Sequence, residues 1–248
     1  MDPALGPVFA LVHSPLVGPA TWTPVAGRLA ARGHEACVAD LTGLGASGPP
    51  YWPAAVDAVR RALAGVPEER PVVVVAHSNA GRYVPVLCDG LARTGRGVAG
   101  RIFVDARLPG ADDPAAEAEF LDHLRTLADP AGVLPRWTDW FPAADLGALI
   151  PDERTRRAVV EEQPRLPLSC YEQSLSLPVP AGWDDGPAAY VLFSEAYEDQ
   201  ARRARERGWP VYHLPGGHLH QVVAPDAVAD TLLSTVPAYH RRDGHRGA

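Results

Sequence analysis

Lysine is absent from this 248-residue chain; all 23 of its basic side chains are arginine. A Schiff-base lysine, a pyridoxal phosphate anchor and a phosphate-loop lysine are therefore impossible. Cysteine is scarce, at three widely spaced positions (Cys37, Cys88 and Cys170), with no Cys-x-x-Cys pair or Cys/His cluster. That argues against a disulfide framework or a structural zinc site and leaves the thiols as small buried apolar groups. Positive charge is not in excess: the formal net charge is −7, so a nucleic-acid surface is not expected. Arg202, Arg203, Arg205 and Arg207 alternate with acidic neighbours and read as a solvated helix face. No apolar run reaches transmembrane length, and no basic stretch precedes an apolar one at the start. A cytoplasmic protein without a membrane partner is the expectation. No cofactor or metal is called for. The run Gly43-Leu44-Gly45-Ala46-Ser47-Gly48 lacks dinucleotide spacing, and Gly217-His218-Leu219-His220 has no thiol or carboxylate set at ligand spacing.

What is present is a large apolar fraction, 46%, with 21% charged residues, enough for one domain with a substantial core. Short apolar runs alternate with longer amphipathic stretches, the pattern of βαβ units. Strands are predicted at Val8–Val12, Glu35–Ala39, Val72–Ala76, Ile102–Asp105, Ala189–Phe193 and Val211–Leu214. Helices are predicted near Thr23–Ala31, Ala54–Ala64, Gly81–Arg93, Glu198–Gly208 and Pro225–Thr235. The fold class is α/β: a mostly parallel six-stranded sheet with helices on both faces. Residues 107–187 break the rhythm, with short proline-separated helices such as Ala115–Leu127 and Asp152–Glu162. A segment of that length reads as a helical cap inserted into a core formed by 1–106 and 188–238. Its aromatics (Trp137, Trp140, Phe141, Tyr171, Trp183) divide between packing and pocket lining in a way the sequence does not sort. The polar stretch 239–248 reads as a frayed tail.

Chemistry concentrates at Val72–Ala76 followed by His77-Ser78-Asn79-Ala80-Gly81 and an immediate helix pattern. Strand, sharp turn and helix make a nucleophile elbow, whose crowding demands small residues two before and two after the serine. Ala76 and Ala80 meet that demand, with Gly81 following. The helix start behind Ser78 would favour a developing oxyanion. A plain helix N-cap is the structural alternative for Ser78. Three further runs accompany the elbow in order: Leu11-Val12-His13-Ser14-Pro15 with Thr21-Trp22, then Asp40-Leu41-Thr42-Gly43-Leu44-Gly45-Ala46-Ser47, and finally Pro215-Gly216-Gly217-His218.

Together these runs resemble the α/β-hydrolase superfamily over nearly the whole length, with an oxyanion loop, a glycine turn and a catalytic-histidine loop. The resemblance implies Ser78 as nucleophile and His218 as its base, with His220 as the competitor and His13 and His77 as loop supports. For the acid, the usual family place follows Ala189–Phe193, where Glu195 stands and Tyr197 replaces the expected aspartate. The other place is Asp105, 27 residues after Ser78, similar to the thioesterase domains that release polyketides and nonribosomal peptides. Asp105 is preferred and Glu195 kept as the alternative, since triads are defined by geometry. The oxyanion donors implied are the N–H groups of Asn79 and of a residue just after His13-Ser14. That next residue is Pro15, which has no N–H to give, so Leu16 is the substitute.

The expected function is a serine hydrolase acting on an ester or thioester of a small, largely apolar molecule through Ser78, His218 and Asp105. His13, Pro15, Tyr51, Trp52, Trp137 and Trp140 are the candidate substrate contacts. A carrier protein is a conceivable partner. A non-hydrolytic biosynthetic enzyme (cyclase, lyase or acyl transferase) is the alternative motivated by Pro15, and a non-catalytic small-ligand binding protein is the third reading.

Overall fold

The computed structural model describes residues 6–110 and 113–243. Its sheet has six strands: β1 (Val8–Val12), β2 (Ala36–Ala39), β3 (Val72–His77), β4 (Val98–Val104), β5 (Ala188–Leu192) and β6 (Val211–His213). Their spatial order is β2-β1-β3-β4-β5-β6, and every pairing is parallel. Ten α-helices lie among the described residues. They are α1 (Thr23–Ala31), α2 (Trp52–Ala62), α3 (Val84–Ala92), α4 (Pro114–Leu127), α5 (Ala143–Leu149), α6 (Glu153–Glu161), α7 (Leu168–Ser174), α8 (Glu198–Glu206), α9 (His220–Val223) and α10 (Pro225–Asp243).

Parallel strands covered on both faces should be apolar at every position, and β1 and β3 are buried throughout. The two-residue period of a strand divides these side chains between two cores. Val8, Ala10, Val12, Val72, Val74 and Ala76 join one, with Ala55 and Val59 of α2 and Leu87 of α3. Phe9, Leu11, Val73 and Val75 join the other, with Val25 and Leu29 of α1 and Val228 and Leu232 of α10. The sheet is thus the middle layer of three.

The boundaries differ most from expectation at three points. β4 starts at Val98, four residues before the predicted Ile102, because Gly100 and Arg101 interrupt the apolar run while still pairing with β3 and β5. The segment after β3 is a 3-10 turn over Ser78–Tyr83 before α3 begins. The last helix continues to Asp243, so 239–243 of the expected tail are helical, and 244–248 lie outside the described residues.

The insertion between β4 and β5 carries α4 to α7. It is fastened by a buried polar cluster. Arg82, just beyond the elbow, pairs with Glu117 of α4; Tyr171 of α7 donates to Glu117 (2.8 Å). The Arg82 guanidinium also donates to Asn79 Oδ1 (3.2 Å). Trp183 packs edge-on against Phe103 and Trp209, with ring centroids 6.2 and 6.1 Å away.

Candidate active site

In open parallel sheets, ligands bind beyond the carboxyl ends of the strands, where successive connections leave in opposite directions. Here the chain leaves β1 for β2 on one side and returns to β3 on the other. The loops after β1, β3, β4, β5 and β6 bring the candidate residues together at that end.

Ser78 follows β3 with φ +58°, a left-handed backbone that serine rarely adopts. The chain turns so sharply that a Cβ on Gly81 would lie 2.2 Å from the Arg107 carbonyl oxygen and 3.0 Å from the Ala106 Cβ. Only glycine fits there, while Ala76 and Ala80 are fully buried beside the turn. The elbow therefore stands on backbone geometry as well as motif. Strain of this kind costs on the order of 1–3 kcal/mol and persists where the surroundings enforce it.

His218 comes from the loop between β6 and α9. Its Nε2 lies 3.0 Å from Ser78 Oγ, and its Nδ1 lies 2.7 Å from Asp105 Oδ2. With Nδ1–H donating to the carboxylate, Nε2 presents a lone pair to the serine hydroxyl. Asp105 sits just past β4 at φ +42° and is completely buried. The turn after β5 supplies its other partners. Phe193 N–H and Ser194 N–H donate to Oδ1 (2.9 and 3.0 Å), and Ser194 Oγ donates to Oδ2 (2.7 Å). Burial would raise the carboxyl pKa, but hydrogen bonds and the His218 ring outweigh it and hold the group below its ordinary value. Glu195 is exposed one residue beyond Ser194, and the structure does not bring it to the imidazole.

The two neighbouring histidines hold loops. His13 is buried; its Nδ1–H donates to the Ser14 carbonyl (2.8 Å), and its Nε2 accepts from Leu41 N–H (3.0 Å). Both ring nitrogens are thus engaged with backbone, which suits the loop-support reading of His13 rather than a substrate contact. His77 Nε2–H donates to the His218 carbonyl (2.8 Å), and the two rings lie 4.6 Å apart. Burial lowers His13 to about 4 and His77 to about 3, so both are neutral near pH 7. His220 places its ring 5.4 Å from Phe193, edge-on.

The space at Ser78 is a cavity of about 10 Å³, bounded by Ser14, Leu16, Val17, Trp137, His218 and Leu219. It has room for about one water molecule. Trp137 is the one proposed aromatic contact that lines it. The others are placed elsewhere, because a large ring satisfies its burial wherever a core accepts it. Tyr51 is buried with its hydroxyl 2.8 Å from Ser169 Oγ. Trp52, the first residue of α2, packs half-buried on the core. Trp140 donates its indole N–H to the Pro135 carbonyl (3.2 Å) and lies 6.5 Å from the Phe120 ring. A larger cavity of about 440 Å³ lies along Arg82, Glu117, Leu121, Ser174 and Val179 and does not include Ser78.

Leu16 N–H lies at the cavity but points to Ser14 Oγ (3.4 Å), within its own loop. Asn79 follows Ser78 in the 3-10 turn, with its side chain held by Arg82 and by Ser174 Oγ (3.3 Å). Two side chains at the site went unassigned from sequence. Ser194 binds Asp105, and Tyr197 places its hydroxyl 3.3 Å from Ser78 Oγ. Tyr197 had stood out only as the residue in the place of the usual acid.

The sequence profile of the alpha/beta hydrolase family matches residues 9–231, which spans β1 to α10. The chain belongs to the alpha/beta hydrolase family. A search of curated protein sequences gives no match. Among solved structures it is similar to tomato methylketone synthase I bound to beta-ketoheptanoate (TM-score 0.71, 15% identity, 95% of this chain and 100% of that one). Polyneuridine aldehyde esterase is another (TM-score 0.64, 15% identity, 92% and 98%). A thioesterase domain from the curacin biosynthetic pathway is a third (TM-score 0.57, 20% identity, 92% and 91%). At these identities the likeness is one of fold. Among the described residues, no helix is long and apolar enough to cross a membrane, and no group of three or more His, Cys, Asp or Glu is placed to hold a metal ion.

Proposed function

We propose that this alpha/beta hydrolase family member is a serine hydrolase acting on an ester or thioester of a small, largely apolar molecule. One observation carries the reading: the continuous hydrogen-bonded line from Ser78 Oγ through His218 to Asp105, at 3.0 and 2.7 Å, behind a serine at φ +58°. His218 Nε2 takes the Ser78 proton as Oγ attacks the acyl carbon, and the carbonyl pair moves onto oxygen. Asp105 holds the tautomer that makes this possible and stabilises the imidazolium. As the intermediate collapses, the bond to the leaving group breaks and His218 returns the proton to it. Water then attacks the acyl-serine with His218 again as base. Asn79 N–H is the first oxyanion donor and Leu16 N–H, once released from Ser14, the second. The cavity as it stands has room for about one water, and we read the inserted segment, with Trp137 as its wall, as the part that shifts to admit substrate.

A second reading is favoured by the same loop. Pro15 removes one oxyanion donor and Leu16 N–H is turned to Ser14, while loss of one such donor typically costs ~10²–10³ in rate. A site short of oxyanion stabilisation suits cyclisation, elimination or acyl transfer on a carbonyl substrate. A fluorophosphonate probe tests the serine chemistry directly. Stoichiometric labelling that disappears in Ser78→Ala is expected, and an unlabelled wild type would refute the nucleophile. Brisk hydrolysis of short nitrophenyl esters that vanishes with Ser78→Ala would exclude the second reading.

A further inference from the structure

The turn that follows β5 does more than hold Asp105. Ser194 gives its N–H and hydroxyl to the carboxylate, and three residues later the same turn delivers Tyr197. The Tyr197 N–H bonds back to the Ser194 carbonyl (3.1 Å), so the two side chains share one rigid turn. The Tyr197 ring lies flat on the His218 imidazole, with centroids 4.8 Å apart and an interplanar angle of 3°. The Arg107 guanidinium stands 5.7 Å from the centroid of that ring. The hydroxyl reaches Ser78 Oγ at 3.3 Å.

The direction of that last bond follows from proton counting. Ser78 has one hydroxyl hydrogen, and His218 Nε2 is its acceptor while Nδ1–H faces Asp105. Ser78 Oγ then has only lone pairs left, so Tyr197 must be the donor. Burial raises the phenol's pKa and keeps the O–H protonated. A neutral donor therefore sits on the reacting oxygen before any substrate arrives.

We propose that Tyr197 is a fourth catalytic residue: its O–H donates to Ser78 Oγ as the proton leaves for His218, then to the oxyanion as charge moves onto the carbonyl oxygen. This rests on the serine-nucleophile reading above. The Tyr197 proton is never transferred; Ser78 loses its own to His218 Nε2, and the leaving group recovers that one. The flat stack serves the same end, since it fixes the phenol relative to the imidazole. The donor arrives from the turn after β5, whereas the donor forfeited at Pro15 belonged to the loop after β1, so the site regains by side chain what it lacks in backbone.

The test is the second-order rate of labelling by a fluorophosphonate probe, in which the Oγ–P bond forms and fluoride leaves. Wild type, Ser78→Ala, Tyr197→Phe and Tyr197→Ala are compared, with thermal melts of each. Tyr197→Phe keeps the ring stack and removes only the hydroxyl. Its labelling rate is expected to fall roughly 10- to 100-fold at an unchanged melting temperature, somewhat less than for a well-aligned oxyanion donor because the resting bond is long. A Tyr197→Phe rate within fivefold of wild type overturns the proposal. So does a pattern in which Tyr197→Ala is slow and Tyr197→Phe is not, since that assigns the residue to packing. Failure of the underlying reading looks different: the wild type itself is then unlabelled, or Ser78→Ala labels equally well.

Discussion

Asp105→Asn is the substitution whose consequence follows most fully from the geometry. The carboxylate accepts four hydrogen bonds, and they are not equivalent. Oδ1 faces two backbone N–H groups, those of Phe193 and Ser194, which can only donate. Oδ2 faces Ser194 Oγ and His218 Nδ1, both of which can reverse roles. An asparagine must therefore keep its oxygen at the Oδ1 place and put its NH₂ at the Oδ2 place. The opposite orientation would set the NH₂ against two fixed donors in a fully buried position. With NH₂ facing it, His218 Nδ1 becomes the acceptor and the imidazole hydrogen moves to Nε2. Nε2 then points a hydrogen, not a lone pair, at Ser78 Oγ, and the serine loses its base. A tautomer error of this kind costs about 10⁴ in rate, or about 5.4 kcal/mol in activation free energy at 1.36 kcal/mol per tenfold. The assay is fluorophosphonate labelling at pH 7.5 beside Glu195→Gln, with melting curves to show that each variant is folded. Asp105→Asn should label about 10⁴-fold more slowly and Glu195→Gln at the wild-type rate. Asp105→Asn within tenfold of wild type, or a larger loss in Glu195→Gln, would refute the reasoning and move the acid to the turn after β5.

Two stability predictions accompany it. Glu117→Ala removes the carboxylate of a nearly fully buried ion pair with the Arg82 guanidinium, between the elbow and α4. Removing one partner of such a pair costs about 3–5 kcal/mol; a lower urea midpoint with unchanged slope would show it, and an unchanged midpoint would not fit. For acid, the signs follow from proton counts. His13 and His77 are depressed in the fold to about 4 and about 3, so below about pH 6.5 the unfolded chain binds protons that the folded one refuses. Stability should then fall as the pH drops from about 6.5, at roughly 1.4 kcal/mol per pH unit for each histidine. Asp105, whose folded pKa lies below its ordinary value, contributes stability above about pH 3.9 that is lost only as pH falls further, through its folded value. A urea midpoint that stays flat from pH 7.5 to 4.5 would contradict the histidine placement.

The strands were legible in the sequence because a parallel strand covered on both faces is apolar at every position, and five of the six predictions matched within two residues at each end. β4 was read short because Arg101 and Gly100 carry no apolar signal, although their backbone pairs like the rest. That Ser78, His218 and Asp105 lie together was legible because each sits just past a strand end, although His220 and Glu195 competed for two of the places. The pocket was not. Trp137 reached the cavity while Trp140, Tyr51 and Trp52 went to other packing sites, and nothing in a sequence distinguishes an aromatic ring that fills a core from one that lines a cleft. His13 is a loop support by resemblance and a candidate substrate contact as well, and its two backbone hydrogen bonds fit the first of these readings.

Ser194 and Tyr197 escaped for a related reason, and their position explains the one irregularity in the site. The family's usual acid would stand in the turn after β5, and the sequence there offers a glutamate and a tyrosine instead of aspartate. In this chain the carboxylate that meets His218 stands at the end of β4, and the turn after β5 does not supply that charge. It has to receive it: two N–H groups and one hydroxyl converge on Asp105 from residues 193 and 194. At the end of β4 the carboxylate is completely buried, and the turn gives it three donors besides His218, as a buried charge requires. Tyr197, in the same turn, lies on the imidazole and reaches the serine. The buried Asp105, the donor-rich turn and the stacked phenol thus meet in one place, and Tyr197→Asp would leave a second carboxylate beside a histidine whose Nδ1 is already occupied.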